Sequence, residues 1–269
     1  MSVITISRGT FSGGRMLAEC LSASLGYRCV DREVIVERAA AHGVSQEELR
    51  DALQKPPTFL QHFRHKRYLY LVLIQAALIE EVRTGKAVYH GNAGHLLLKG
   101  GPHILRVRII APLEFRVQKA QERLKLSRAE SLDYIARADQ DRRKWTQYLY
   151  GVDWGDPANY DIVLNLESID IAAACHAVSA LARQRCFEFT PDCQAAMDDL
   201  ALASRIRAEL AMDSATSHLE VEVIATAGEV HVRGPISSPR EAMEVHRIAE
   251  AAPGVTSLQL HEEVSPVRT

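Results

Sequence analysis

Nowhere among the 269 residues do eighteen apolar positions run together, so no membrane-spanning helix is expected. The most apolar segment, residues 68–79, is interrupted by Gln75 and flanked by charge. Cysteine is scarce: Cys20, Cys29, Cys175, Cys186 and Cys193 are odd in number and show no C-x-x-C spacing, which argues against a disulfide framework and a zinc site. His62 and His65 share a helical face, but no cysteine or third histidine stands at ligand spacing, and no metal centre is expected. The chain starts with a strand pattern instead of a signal peptide, so a reducing cytoplasm is the expected compartment. Neither sign of charge dominates. Residues 1–190 hold 26 Lys and Arg against 21 Asp and Glu, and residues 191–269 hold 6 against 13, together giving the net charge of −2. So mild a basic excess suits a small anionic ligand and excludes DNA or RNA as the expected partner, and the acidic tail repels nucleic acid and anionic lipid alike.

The informative segment is the first one. Val3-Ile4-Thr5-Ile6 leads into Ser7-Arg8-Gly9-Thr10-Phe11-Ser12-Gly13-Gly14-Arg15, and an amphipathic stretch carrying Leu17, Cys20, Leu21 and Leu25 follows. The pattern predicts a strand, a glycine turn and a helix that Gly26 ends. A helix entered through glycines aims its free N–H groups and positive dipole end at the turn, which makes an anion site. Against the P-loop pattern G-x-x-x-x-G-K-[ST], Gly9 and Gly14 have the right spacing, Arg15 replaces lysine, and Met16 replaces the magnesium-holding hydroxyl. Arg15 would offer phosphate a planar fork of donors. Its alternative is a solvated charge that opposes the helix dipole.

Further on, strand and helix patterns alternate. Residues 28–30 read as a strand and 32–41 as a helix, a capping box at Ser45 opens another helix to Leu53, and residues 58–84 read as one long helix. Residues 87–89 form a buried strand before a second glycine turn at 91–94. Residues 103–110 and 161–165 are strands, with helices expected over 113–124, 128–149 and 169–185. Strands separated by long helical segments indicate a parallel sheet covered on both faces, with the ligand at the carboxyl ends of the strands. Pro191 and the lack of periodicity in 187–194 suggest a boundary there. Beyond it, a helix at 198–211, strands at 219–224 and 229–233, a helix at 239–251 and a strand at 255–261 make a small αββαβ unit. The expected division is 1–190 and 196–265.

Ile4-Thr5-Ile6-Ser7-Arg8, Ser12-Gly13-Gly14-Arg15, Val30-Asp31-Arg32-Glu33-Val34-Ile35, Ala111-Pro112-Leu113-Glu114-Phe115-Arg116 and Tyr160-Asp161-Ile162-Val163-Leu164-Asn165 resemble, in order and spacing, the cytidylate-kinase-like family of P-loop nucleoside monophosphate kinases. Residues 197–264 resemble a BON domain through Ile206-Arg207-Ala208-Glu209-Leu210, Gly228 to Gly234, and Pro253-Gly254-Val255. The first resemblance implies an α/β kinase fold binding ATP and Mg2+ at the turn, a nucleoside monophosphate beside it, and an arginine-bearing lid. It implies that Gly9, Ser12, Gly13, Gly14, Arg15 and Met16 surround the donor phosphates. Asp31, Gly91, Asn92, Asp139 and Arg142 would face the acceptor, and Arg15, Arg116 and Arg123 would neutralise the moving phosphoryl group. Two departures stand out: Met16 supplies no hydroxyl to magnesium, and Asn92 stands where the family commonly has arginine.

Local explanations compete at several positions. Asp31 before a helix can be an N-cap, Arg116 and Arg123 a solvated stripe, and Asp139 with Arg142 a helical ion pair. Tyr148, Tyr150 and Trp154 are expected to pack the base of the lid. Three functions follow: an ATP-dependent kinase acting on a pyrimidine nucleoside monophosphate such as CMP, a non-catalytic nucleotide sensor read out by the appended unit, or an adaptor whose BON-like part binds a protein or small ligand.

Overall fold

A computed structural model describes residues 2–54, 64–91 and 93–262. β1 (Val3–Arg8), β2 (Arg28–Asp31), β3 (Ala87–His90), β4 (Ile104–Ile110) and β5 (Ile162–Asn165) form a parallel sheet in the order β2-β3-β1-β4-β5. The chain fills one side of β1 and then the other, so the order reverses at β1. A crevice opens at the carboxyl ends where such a reversal occurs. One face of the sheet buries Ile4, Ile6, Val107 and Ile109 against α1 (Gly14–Leu25) and α8 (Ile171–Ala182). The other buries Val3, Val30 and Tyr89 beneath α2 (Arg32–Ala40), α3 (Gln46–Gln54) and α4 (Arg64–Val82). Near-continuous apolar strands are what burial on both faces requires.

Two helices, α6 (Leu113–Leu124) and α7 (Arg128–Tyr150), stand over the carboxyl ends. A full capping box at Ser127 and Glu130 starts α7, and Gly151 ends it in the left-handed conformation. The buried Trp145 of α7 donates its indole N–H to the Ala52 carbonyl of α3 at 2.7 Å, tying these helices to the β2 side of the crevice. The expected aromatic packing at the lid base is present for Tyr150, which lies beside Trp145, and for the buried Trp154, whereas Tyr148 is exposed. A short helix, α5 (Gly94–Leu97), follows the second glycine turn, where none was expected.

The helix expected over 198–211 starts seven residues earlier, as α9 (Pro191–Met212), inside the segment 187–194 where the boundary was expected. Thr190 caps it and Pro191 sits at the first helical position, where its missing N–H costs nothing. α9 is apolar on two sides. Met197, Ala201, Ala208 and Ala211 join the core beneath α4, while Leu202, Ile206 and Leu210 join a separate core with β6 (Glu222–Thr226), β7 (Glu229–Gly234), α10 (Pro239–Ala251) and β8 (Ser257–Glu262). β6 and β7 pair antiparallel, β7 and β8 parallel. Polar contacts seal the junction: Arg83 pairs with Asp198, Arg207 donates to Gln75, and the Tyr68 hydroxyl donates to the Val221 carbonyl.

Cys20 of α1 and Cys175 of α8 are joined by a disulfide. Cysteine count and spacing pointed away from such a bond. The partners lie 155 residues apart, and only the packing of the two helices brings them together.

Burial also leaves a titratable mark. His95 of α5 is 7% exposed, packs against the Tyr160 ring at a 47° tilt, and has no hydrogen-bond partner on either ring nitrogen among the described residues. Burial, and then the nearby Arg106 and Arg108, push its pKa down to about 4. The unfolded chain therefore binds this proton first as pH falls, so stability is lost between about pH 6.5 and pH 4, by roughly 3 kcal/mol. Urea unfolding of the natural chain and of His95→Leu across that window should show a loss roughly 3 kcal/mol smaller in the variant, which keeps only the contribution of the other groups. Equal pH dependence in both would contradict the assignment.

Candidate active site

The carboxyl ends of the strands and the two overlying helices enclose a cleft of 1190 Å3. Its floor is the turn between β1 and α1. Gly13 caps α1 at φ +88, a conformation that a Cβ disfavours, and such a Cβ would also lie 2.9 Å from Leu166. Gly14 opens the helix, and a Cβ there would collide with the stem of Arg8. The amides of Gly14, Arg15 and Met16 occupy the first turn, where no intrahelical acceptor exists. They form the anion-binding end of the helix, and no acidic residue of that turn opposes an anion.

Of the residues assigned from sequence, Gly13, Gly14, Arg15, Met16, Asp31, Gly91, Arg123 and Arg142 line the cleft. Asn92 lies outside the described residues. Ser12 is spent inside the turn: its fully buried hydroxyl lies within hydrogen-bond reach of the Gly9 and Ile109 carbonyls, and its amide donates to Gly9. Gly9 lies under Arg116, 3.4 Å from the guanidinium carbon if it carried a Cβ. Asp31 caps α2 by accepting from the Val34 amide at 3.0 Å while also bordering the cleft. The side chain of Arg15 is 60% exposed and paired with Glu19.

Asp139 has a role its sequence position does not announce. Its carboxylate accepts from the Thr10 amide and hydroxyl in the turn, at 3.1 and 2.9 Å, and from Arg142 at 3.3 Å. It also pairs with Arg116 of α6, which donates to the Thr10 carbonyl at 2.7 Å. Arg142 in turn donates to the Arg8 carbonyl at 3.0 Å and stacks over the buried Trp154 ring. Burial, and then neighbouring arginines, push the Arg142 pKa down to about 10 against the pull of Asp139. It stays charged at neutral pH. This network fastens both lid helices to the glycine turn.

Sequence reasoning assigned no role to Arg8, Arg32 or His90, all of which line the cleft. Arg32 pairs with Glu33. His90, at the end of β3 between β1 and β2, is 7% exposed with an unpartnered Nδ1. Burial, followed by Arg8, lowers its pKa and keeps the ring neutral at pH 7. The available signal was positional: each residue sits at a strand's carboxyl end or directly beyond it.

Comparison with known proteins places residues 3–168 in a match to the cytidylate kinase-like family and residues 198–260 in a match to the BON domain. The chain is similar to the cytidylate kinase of Ignicoccus hospitalis, 29% identical over 170 residues, covering 61% of this chain and 90% of that protein. It is also similar to the cytidylate kinase of Pyrococcus horikoshii, 25% identical over 164 residues, covering 61% and 79%. Among solved structures, an uncharacterized protein from Eubacterium ventriosum superposes with a TM-score of 0.55 at 15% identity, covering 69% of this chain and all of that one.

Asp139→Ala strands Arg116 and Arg142 without their shared carboxylate. Loss of these partly buried, charge-assisted bonds should cost about 2–4 kcal/mol in urea unfolding. A cost below about 0.5 kcal/mol would reduce Asp139 to an ordinary helical ion pair.

Proposed function

Because the chain belongs to the cytidylate kinase-like family, we propose that its cleft transfers a phosphoryl group from ATP to a pyrimidine nucleoside monophosphate such as CMP. The observation that carries this reading is the glycine turn with its free helix-terminal amides, set beneath a lid whose arginines face inward. Phosphoryl transfer asks the protein mainly for position and for positive charge around the moving group. The amides of Gly14, Arg15 and Met16 hold donor phosphate oxygens, and Arg123 adds charge from the lid. Arg116 acts through Asp139, keeping lid and turn together. On the opposite wall, Asp31, Gly91 and the neutral His90 border the space left for the acceptor. Magnesium bound with ATP neutralises phosphate charge. The Met16 side chain has no oxygen to offer it, so water or a carboxylate would take the place of the usual hydroxyl.

A second reading, a nucleotide sensor coupled to the BON domain, is favoured by α9, whose two faces belong to the two cores. In that reading the BON domain meets a protein or small-ligand partner. A coupled ADP-release assay with ATP, magnesium and each of CMP, dCMP and UMP separates the two. The kinase reading expects acceptor-dependent ADP release that is fastest with a cytidine nucleotide. ATP binding with no acceptor-dependent release would replace it with the sensor.

A further inference from the structure

β1 ends at Arg8, one residue before the glycine turn, and this arginine is held at two points. Its carbonyl accepts from Arg142, which Asp139 fastens in place. Its side-chain stem lies across the first turn of α1, in space that exists because Gly14 lacks a Cβ. Arg8 lines the cleft together with Gly14, Arg15 and Met16 of the helix terminus.

Cations along this cleft are mostly neutralised: Arg15 by Glu19, Arg32 by Glu33, Arg137 by Asp133 and Lys119 by Glu122. The Arg8 side chain has no hydrogen-bond or carboxylate partner among the described residues. Burial lowers its pKa first, and the positive charges of Arg32, Arg123 and Arg15 lower it further. A pinned cation in the field of other cations raises the energy of the empty site, and an anion placed among them relieves it.

We propose that Arg8, and not the arginine in the usual lysine position, is the catalytic cation that meets the phosphoryl group in transfer. The proposal rests on the phosphotransferase reading above. In the step it serves, the bond between the γ-phosphorus and the β–γ bridging oxygen breaks, and that oxygen leaves with the electron pair as part of ADP. An oxygen of the acceptor's phosphate forms the new bond to phosphorus. Arg8 gives and takes no proton. It stabilises charge on the equatorial oxygens, and its fixed stem spares the reorganisation that a free surface arginine would need. Arg15 contributes its amide, while its side chain is exposed and committed to Glu19.

The test compares Arg8→Met and Arg8→Lys with Arg15→Met in the full chain. Two readouts are used: acceptor-dependent ADP release with CMP, and calorimetric titration with inorganic tripolyphosphate. Arg8→Met should lower kcat by about 100- to 1000-fold, Arg8→Lys should recover part of that loss, and Arg15→Met should cost less than about tenfold. Tripolyphosphate should bind Arg8→Met at least about tenfold more weakly, with Arg15→Met within about threefold of the natural chain. Unfolding curves of the lysine variant, which keeps stem and charge, separate loss of the cation from loss of fold. If Arg15→Met is the more damaging change in both readouts, or Arg8→Met matters in neither, the proposal is overturned while the kinase reading stands. If the natural chain releases no ADP with any acceptor but the tripolyphosphate pattern holds, the kinase reading fails and the assignment of Arg8 to the phosphate survives as a binding role.

Discussion

One carboxylate shared by three structural pieces sets the geometry of this site. Asp139 accepts from the glycine turn, from the first lid helix and from its own helix, and the two arginines it holds reach back to the Thr10 and Arg8 carbonyls. Without it, two partly buried guanidiniums would face each other and Arg8 across the floor of the cleft. With it, the positive charge of the region is ordered, and the cations left over point at the space above the helix terminus. The proposed anion site would thus be a product of internal neutralisation as much as of glycine content. Cations that can be paired are paired, and the remainder is directed at the ligand.

The same economy governs the join to the C-terminal unit. A helix polar on one side could have served as a spacer, but α9 is buried along both sides and belongs to two cores at once. Its partner α4 also packs on α2 and α3, which flank the β2 side of the cleft. In the sensor reading, a ligand that reorients the BON domain would push through α9 and α4 on the helices beside the cleft. Coupling of this kind requires a shared element, and α9 is the helix that belongs to both cores.

Much of this was legible from residues alone where several local signals agreed. The turn at Gly9–Gly14 combined a buried strand, glycine spacing and an amphipathic helix. The helix expected over 128–149 matches α7 (Arg128–Tyr150) to within one residue. Asp139 was legible only as an i,i+3 partner of Arg142, because its bonds to Thr10 and Arg116 span more than twenty residues and depend on how the lid folds back. The start of α9 at Pro191 was not legible, because proline ends helices from within and also begins them, and only the Thr190 cap separates the cases. The Cys20–Cys175 pair and the double burial of α9 are likewise products of tertiary packing. Arg8 went unassigned because a charged residue closing a strand looks like a solvated edge until Gly14 is seen to make room for its stem.

The central claim is that the glycine turn, with Arg8 beside it and the Asp139 lock behind it, is a phosphate site shared by donor and acceptor. A crystal structure with a bisubstrate in which adenosine and cytidine are joined through a polyphosphate tests this most directly. The account predicts central phosphate oxygens within hydrogen-bond distance of the Gly14 to Met16 amides and of the Arg8 guanidinium, with Asp139 still bound to Arg116 and Arg142. A polyphosphate lying elsewhere, or Asp139 parted from both arginines while Arg8 faces solvent, would contradict it.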